Sequence, residues 1–170
     1  SFMSTTTFFA SQQGDGSFGD LYNQVWAMVA LQAAAANYDE QKAIQSLLTL
    51  QNEKGQFVGP WGPDVDASGW ALIALAPHRG QQDVDEAIER TISYFHSIQA
   101  ADGQFIDSTL PFASENANTQ ASVISGLVAV EEDLASTAWS PNGYTALDAL
   151  LQFQLADGSF SWSLTEQKSN

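Results

Sequence analysis

Two closely spaced carboxylates, Asp64 and Asp66, are the only nominees in this sequence for a catalytic acid or base inside a folded site. They stand in the segment Val58-Gly-Pro-Trp61-Gly-Pro-Asp64-Val-Asp66-Ala-Ser-Gly-Trp70, which holds two Trp, two Pro and two Asp. Rings beside carboxylates and amides suit a neutral sugar or a planar, corrin-like ligand. Tyr22, Asn23, Trp26, Asn116, Asn118 and Gln120 fall at matching places elsewhere in the chain and extend that candidate surface. The candidate ligand-binding set is therefore Tyr22, Trp26, Trp61, Asp64, Asp66, Trp70, Asn118 and Gln120. The same residues also have a plainer reading. Asp64 and Asp66 beside Gly62-Pro63 make a loop and a helix N-cap, and Trp26 and Trp70 fill a core.

Other polar clusters offer less. Asp83, Asp85, Glu86 and Glu89 gather at one helix start, where acids favour the positive end of the helix dipole. His78 and His96 lack a metal-ligand spacing and read as surface or interface histidines. The carboxylates show no EF-hand spacing for Ca²⁺. No Gly-x-Ser-x-Gly elbow is present. Cys is absent, which removes thiolate zinc sites, Cys nucleophiles, thioesters and disulfides. The expectation is no metal and no cofactor, with no complete catalytic signature.

Charge narrows the partners. Five Lys+Arg against 20 Asp+Glu give a net charge of −15 over 170 residues. That balance repels phosphate backbones and anionic membranes. It also disfavours anionic glycans, which Arg79 and Arg90 alone would have to hold. Only 15% of residues are charged, so the 51 Ser, Thr, Asn and Gln must wet the surface. The longest apolar run, Val25 to Leu31, is far short of a membrane span. No basic region precedes an apolar stretch, so no signal peptide is visible. The chain starts at Ser1 and reads as a processed or excised piece of a larger protein.

The elements that must position these residues announce themselves by repetition. Gln-x-x-x-Gly-x-Phe occurs as Gln12/Gly16/Phe18, Gln51/Gly55/Phe57, Gln99/Gly103/Phe105 and Gln154/Gly158/Phe160. Asp precedes the Gly in three copies, and Lys54 takes that place in the second. Between the copies, Trp26-Ala-Met-Val-Ala-Leu31 matches Trp70-Ala-Leu-Ile-Ala-Leu75, with a weaker third version at Ser122–Leu127. The pattern predicts one helix type at about 20–36, 66–77 and 117–131, and a second at about 39–51, 83–99 and 143–154. The first type is apolar nearly all round and should be enclosed. The second is amphipathic and lies outside. Segment 143–154 puts Leu147, Leu150, Leu151 and Leu155 on one stripe. A Gly just past a helix caps its last carbonyls in a left-handed conformation, and Gln and the aromatic tie and plug the junction.

The Gln-x-x-x-Gly-x-Phe element resembles the QW repeat of terpene cyclases, and the hairpins resemble the wider α/α-toroid superfamily. That group includes protein prenyltransferase β-subunits, complement thioester domains and cobalamin carriers of the transcobalamin and intrinsic-factor type. The sequence is also similar to prenyltransferase-like modules of bacterial cell-surface proteins. The resemblance spans about residues 8–164. It implies an all-α fold, a partial α/α toroid of about three hairpins, in one domain over residues 1–170. Phe8, Phe9 and Gln12 then look like the end of an earlier outer helix, and Ser161 to Asn170 like the entry to a further inner helix. Protonating cyclases carry Asp-x-Asp-Asp, and here Asp64-Val-Asp66-Ala67 lacks the last acid. The zinc ligands of prenyltransferases and the Cys of thioester domains are missing. The resemblance thus implies a non-catalytic binding or adhesion module of a bacterial surface or secreted protein. A cobalamin-like carrier and a cyclase-like or glycan-active enzyme stand as alternatives. Expected partners are a protein, a glycan, the rest of its own chain, or a second copy that completes the ring.

Overall fold

The computed structural model describes residues 11–111 and 113–167. Phe8 and Phe9 lie outside these. The elements are α1 (Leu21–Ala33), α2 (Glu40–Leu48), β1 (Val58–Gly59), β2 (Gly62–Pro63), α3 (Val65–Leu75), α4 (Gln82–Ile98), α5 (Ala117–Ala129), α6 (Ala146–Leu151) and α7 (Leu164–Gln167). The β-strands form one small antiparallel hairpin, with Val58 opposite Pro63 and Gly59 opposite Gly62. The three predicted hairpins are α1–α2, α3–α4 and α5–α6. Helix α3 packs against both α1 and α5, giving an inner layer, and α2 packs against α4 in an outer one.

The inner helices begin alike. Asp20, Asp64 and Asn116 are their N-caps, each accepting the backbone N–H three residues on. Four residues after each cap stand Gln24, Ser68 and Gln120, all fully buried. Each accepts the backbone N–H of its repeat aromatic: Phe18 at 2.7 Å, Phe57 at 2.9 Å and Phe105 at 2.8 Å. The start of every inner helix is thereby tied to the junction before it. Within the inner layer, Gly69 and Gly126 let α3 and α5 approach backbone to backbone; a Cβ on Gly126 would collide with the Gly69 carbonyl. That contact explains why the third copy of the Trp26 pattern departs from the other two.

The four junctions share one construction. The Gln and Phe of the last three pair as isolated bridges. Gly16, Gly55, Gly103 and Gly158 have φ of +90, +84, +86 and +88°. In three junctions the Asp before Gly accepts the N–H two residues on. In the second, where Lys54 stands, Asn52 accepts from Gln56 instead, at 3.1 Å. In the first three junctions the Gln side chain reaches into the next hairpin. Gln12 exchanges two 2.9 Å hydrogen bonds with the Asp39 backbone. Gln51 donates to the Ala87 carbonyl and Thr91 hydroxyl of α4, both at 2.8 Å, and Gln99 to the Trp139 carbonyl at 3.2 Å. Phe57 and Phe105 are wholly buried. Removing each ring from water is worth about 2–3 kcal/mol.

Three expectations need correction. The inner helices are not enclosed: Trp26 and Val128 are 49% and 57% exposed, because the arc leaves its concave face open. In α6 the buried face is Ala146 and Ala149, continuing to Phe153, while Leu147 and Leu151 face outward. Small residues let α6 sit close to its neighbours, so the leucine stripe is the wrong face. His78 is buried, not at the surface; its Nε2 lies 2.9 Å from the Gln32 amide nitrogen, between α1 and the turn after α3. His96 stacks on Trp139 with centroids 3.6 Å apart.

The junction geometry predicts unequal costs for one substitution. Gly103→Ala combines a left-handed backbone with a collision against the Thr145 carbonyl. It should cost about 3 kcal/mol. Gly158→Ala has the same backbone strain but open space around it among the described residues. It should cost about 1 kcal/mol. Urea unfolding of both variants measures the difference.

Candidate functional site

The N-terminal ends of the inner helices, the β1–β2 hairpin and the loop after the third junction converge on a cleft of about 420 Å³. Its lining includes Tyr22, Trp61, Asp64, Asp66, Phe105, Asp107, Asn116, Thr119 and Trp162. Ile106, Leu110 and Pro111 supply an apolar side. Among the described residues, no Lys or Arg lines it.

Asp64 and Asp66 are two residues apart at the start of α3, so each reaches a different neighbouring repeat. The Tyr22 hydroxyl, from the first repeat, donates to Asp64 Oδ2 at 2.5 Å. Asp64 Oδ1 accepts the Ala67 N–H at 2.9 Å as the helix cap. From the third repeat, the Thr119 hydroxyl donates to Asp66 Oδ1 at 2.6 Å, and Ser122 donates to the Asp66 carbonyl at 2.6 Å. Burial pushes the Asp66 carboxyl above the usual carboxylate range; the Thr119 hydrogen bond opposes this and the nearby Asp64 charge adds to it. Burial also raises the Tyr22 hydroxyl, reinforced by its bond to Asp64. Tyr22 therefore stays a neutral donor.

Asp107 is handled differently. Burial opposes its charge, yet donors from Thr109, Tyr94 and Gln56 outweigh that and hold it below the usual range. Gln56 and Tyr94 donate to Oδ2, each at 2.9 Å, and Thr109 to Oδ1 at 2.6 Å. A buried carboxylate with this many donors is charged and satisfied without a cation. The described residues show no group of three His, Cys, Asp or Glu fit to hold a metal.

The aromatic residues form a continuous series. Trp61 lies 5.8 Å from Tyr22, Tyr22 6.4 Å from Trp70, and Trp70 5.2 Å from Trp26, centroid to centroid. Trp61 stands on the β-hairpin, 83% exposed, and Trp162 flanks the cleft from the fourth junction. The structure thus brings together Tyr22, Trp26, Trp61, Asp64, Asp66 and Trp70. It does not bring Asn118 or Gln120 to the cleft. Asn118 is exposed outside the lining. Gln120 is buried with its amide bonded to both backbone groups of Phe105.

Sequence reasoning missed Asp107, Thr119 and Trp162. A signal for two of them lay in the repeat: Asp20, Gly59, Asp107 and Trp162 all stand two residues after a junction aromatic. That register carries the chain from the buried junction out to the mouth of the arc.

With this geometry in view, two solved structures match the chain. One is "Structure of type II terpene cyclase MstE from Scytonema (apo)", with a TM-score of 0.61 and 19% identity. The other is a variant of the same Scytonema cyclase in complex with merosterolic acid A (product), with a TM-score of 0.59 and 19% identity. The fold is the α/α toroid of terpene cyclases. In both matches 84% of this chain is covered, but only 38% of the cyclase chain. The chain therefore spans well under half the length of these toroids. No protein-family model and no curated protein matches the sequence.

The raised Asp66 pKa has a measurable sign. The folded protein keeps a proton on Asp66 that the unfolded chain releases above 3.8. This residue therefore lowers stability as pH rises from 3.8 through its folded pKa. Asp107 acts oppositely, stabilising above 3.8, with that contribution lost as pH falls through its depressed pKa. Asp66→Asn should flatten the decline on the alkaline side of 3.8 and leave the acid-side loss intact. Urea unfolding across about pH 3 to 8, comparing the two proteins, measures this.

Proposed function

We propose that this chain is a non-catalytic binding module of a bacterial surface or secreted protein, taking a small ligand in the cleft at the mouth of its arc. One observation carries the reading: a cleft walled by Tyr22, Trp61, Phe105 and Trp162, edged by Asp64, Asp66 and Asp107, and free of Lys and Arg among the described residues. Such walls favour a ligand with a broad apolar face and hydrogen-bond donors, or a neutral sugar face, and repel anions. The acceptors that greet a ligand are the carboxylates, while the Tyr22 and Thr119 hydroxyls are already engaged by Asp64 and Asp66. A polycyclic terpenoid, a corrin and a neutral glycan all meet this description. The extracellular setting is supported by a surface rich in Ser, Thr, Asn and Gln and poor in charge. Among the described residues no helix is long and apolar enough to cross a membrane.

A second reading has its own observation. A carboxylic acid held protonated by burial, at the edge of an aromatic cleft, is the equipment of a proton-donating catalyst. The matched cyclases make this reading concrete, and Ala67 in place of a further acid weighs against it.

Native mass spectrometry and tryptophan fluorescence with a sterol-like terpenoid, cobinamide and a neutral oligosaccharide test the binding reading. One of these should bind, and Trp61→Ala should weaken it about 10-fold or more, the worth of a lost ring contact. No retained ligand from any class removes the reading. Incubation with a linear polyprene separates the second reading. Cyclised product that disappears in Asp66→Asn, with binding intact, would replace the binding module by an enzyme.

A further inference from the structure

The four repeat junctions are built alike, yet among the described residues only three are covered. A Cβ on Gly16 would strike the Lys42 backbone of α2, one on Gly55 the Arg90 backbone of α4, and one on Gly103 the Thr145 backbone at the head of α6. Around Gly158, among the described residues, there is nothing within 4 Å. Phe57 and Phe105 are wholly buried, but Phe160 is 47% exposed. Gln12, Gln51 and Gln99 each reach backbone carbonyls of the following hairpin, whereas the Gln154 amide nitrogen donates back to the Gly158 carbonyl, at 3.3 Å.

The fourth junction is nonetheless fully formed. Gly158 has nearly the same φ as its three counterparts. Gln154 pairs with Phe160, and Asp157 accepts from Ser159 at 3.0 Å. Nearby, Leu147, Leu151 and Trp162 are each 52% exposed. Helix α7 starts four residues after Phe160, in the place where an inner helix follows each earlier junction.

We propose that the Gly158 junction is a docking seat for the outer helix of one further helical hairpin of the same repeat, covalently continuing the arc through α7. The occupant follows from continuity with the three interfaces already present. Each glycine accepts an outer-helix backbone at a distance that only a missing side chain permits. Each such helix comes from the hairpin directly following in the chain. The inference stands apart from the ligand reading, because it concerns the edge of the arc and not the cleft.

Hydrogen exchange tests it without disturbing the seat. In the chain as it exists, amides of 154–160 should exchange about 10-fold or more faster than those of 51–57 and 99–105. Grafting a copy of residues 21–51 behind Ser163 supplies a hairpin of the right pattern. It should slow exchange in 154–160 to the level of the other junctions, and Gly158→Leu in the graft should restore fast exchange. A second graft, carrying residues 65–98, guards against one hairpin failing to fold in its new place. If neither graft protects 154–160, the proposal is overturned. It is also overturned if the ungrafted chain is a dimer by light scattering with 154–160 already protected, since a second copy then fills the seat.

Discussion

Contact between a glycine and the backbone of the next outer helix sets the spacing of the whole arc. At Gly16, Gly55 and Gly103 the left-handed backbone turns the chain inward, and the missing side chain lets the following helix rest on the turn. The Gln side chain then bonds to that helix or its lead-in. The aromatic fills the groove beneath. A turn, a clamp and a plug are thus provided within seven residues. Helices of this length are at best marginal alone in water, so this junction supplies the tertiary contact that each needs.

The cleft is a consequence of that spacing. Inner helices locked to their junctions by Gln24, Ser68 and Gln120 present their N-terminal ends at one rim. The central helix α3 then shares its two acids between the flanking repeats, Asp64 with Tyr22 and Asp66 with Thr119. These bonds hold neighbouring repeats together at the rim and place carboxyl groups along the cleft. Structural and chemical roles therefore coincide in Asp64 and Asp66, and the N-cap reading made from sequence holds for Asp64 alongside the site reading.

Acidity is distributed in the same way. Asp39, Asp83 and Asp85 serve the starts of outer helices or the loops before them. Asp15, Asp102 and Asp157 serve junction turns. The inner wall carries rings. A charge of −15 thus describes a solvated shell, with Asp64, Asp66 and Asp107 as the share that faces the cleft.

Repetition made the fold legible. Four copies of one junction and two matching helix patterns placed all three hairpins and their inner or outer rank, because local capping and periodicity act over a few residues. The same local logic found the segment from Trp61 to Trp70. It erred for α6, where close packing chose alanines over the leucine stripe, and for Gln120, whose amide serves the Phe105 backbone. Asp107, Thr119 and Trp162 join the cleft from residues far apart in the chain. Their meeting depends on how much each repeat rotates against the last, and that angle arises from glycine contacts between helices. Sequence alone determined which turns and helices form, since those preferences are local. Only the tertiary structure decided which carboxyl group is buried enough to keep its proton, because burial is a property of the assembled arc.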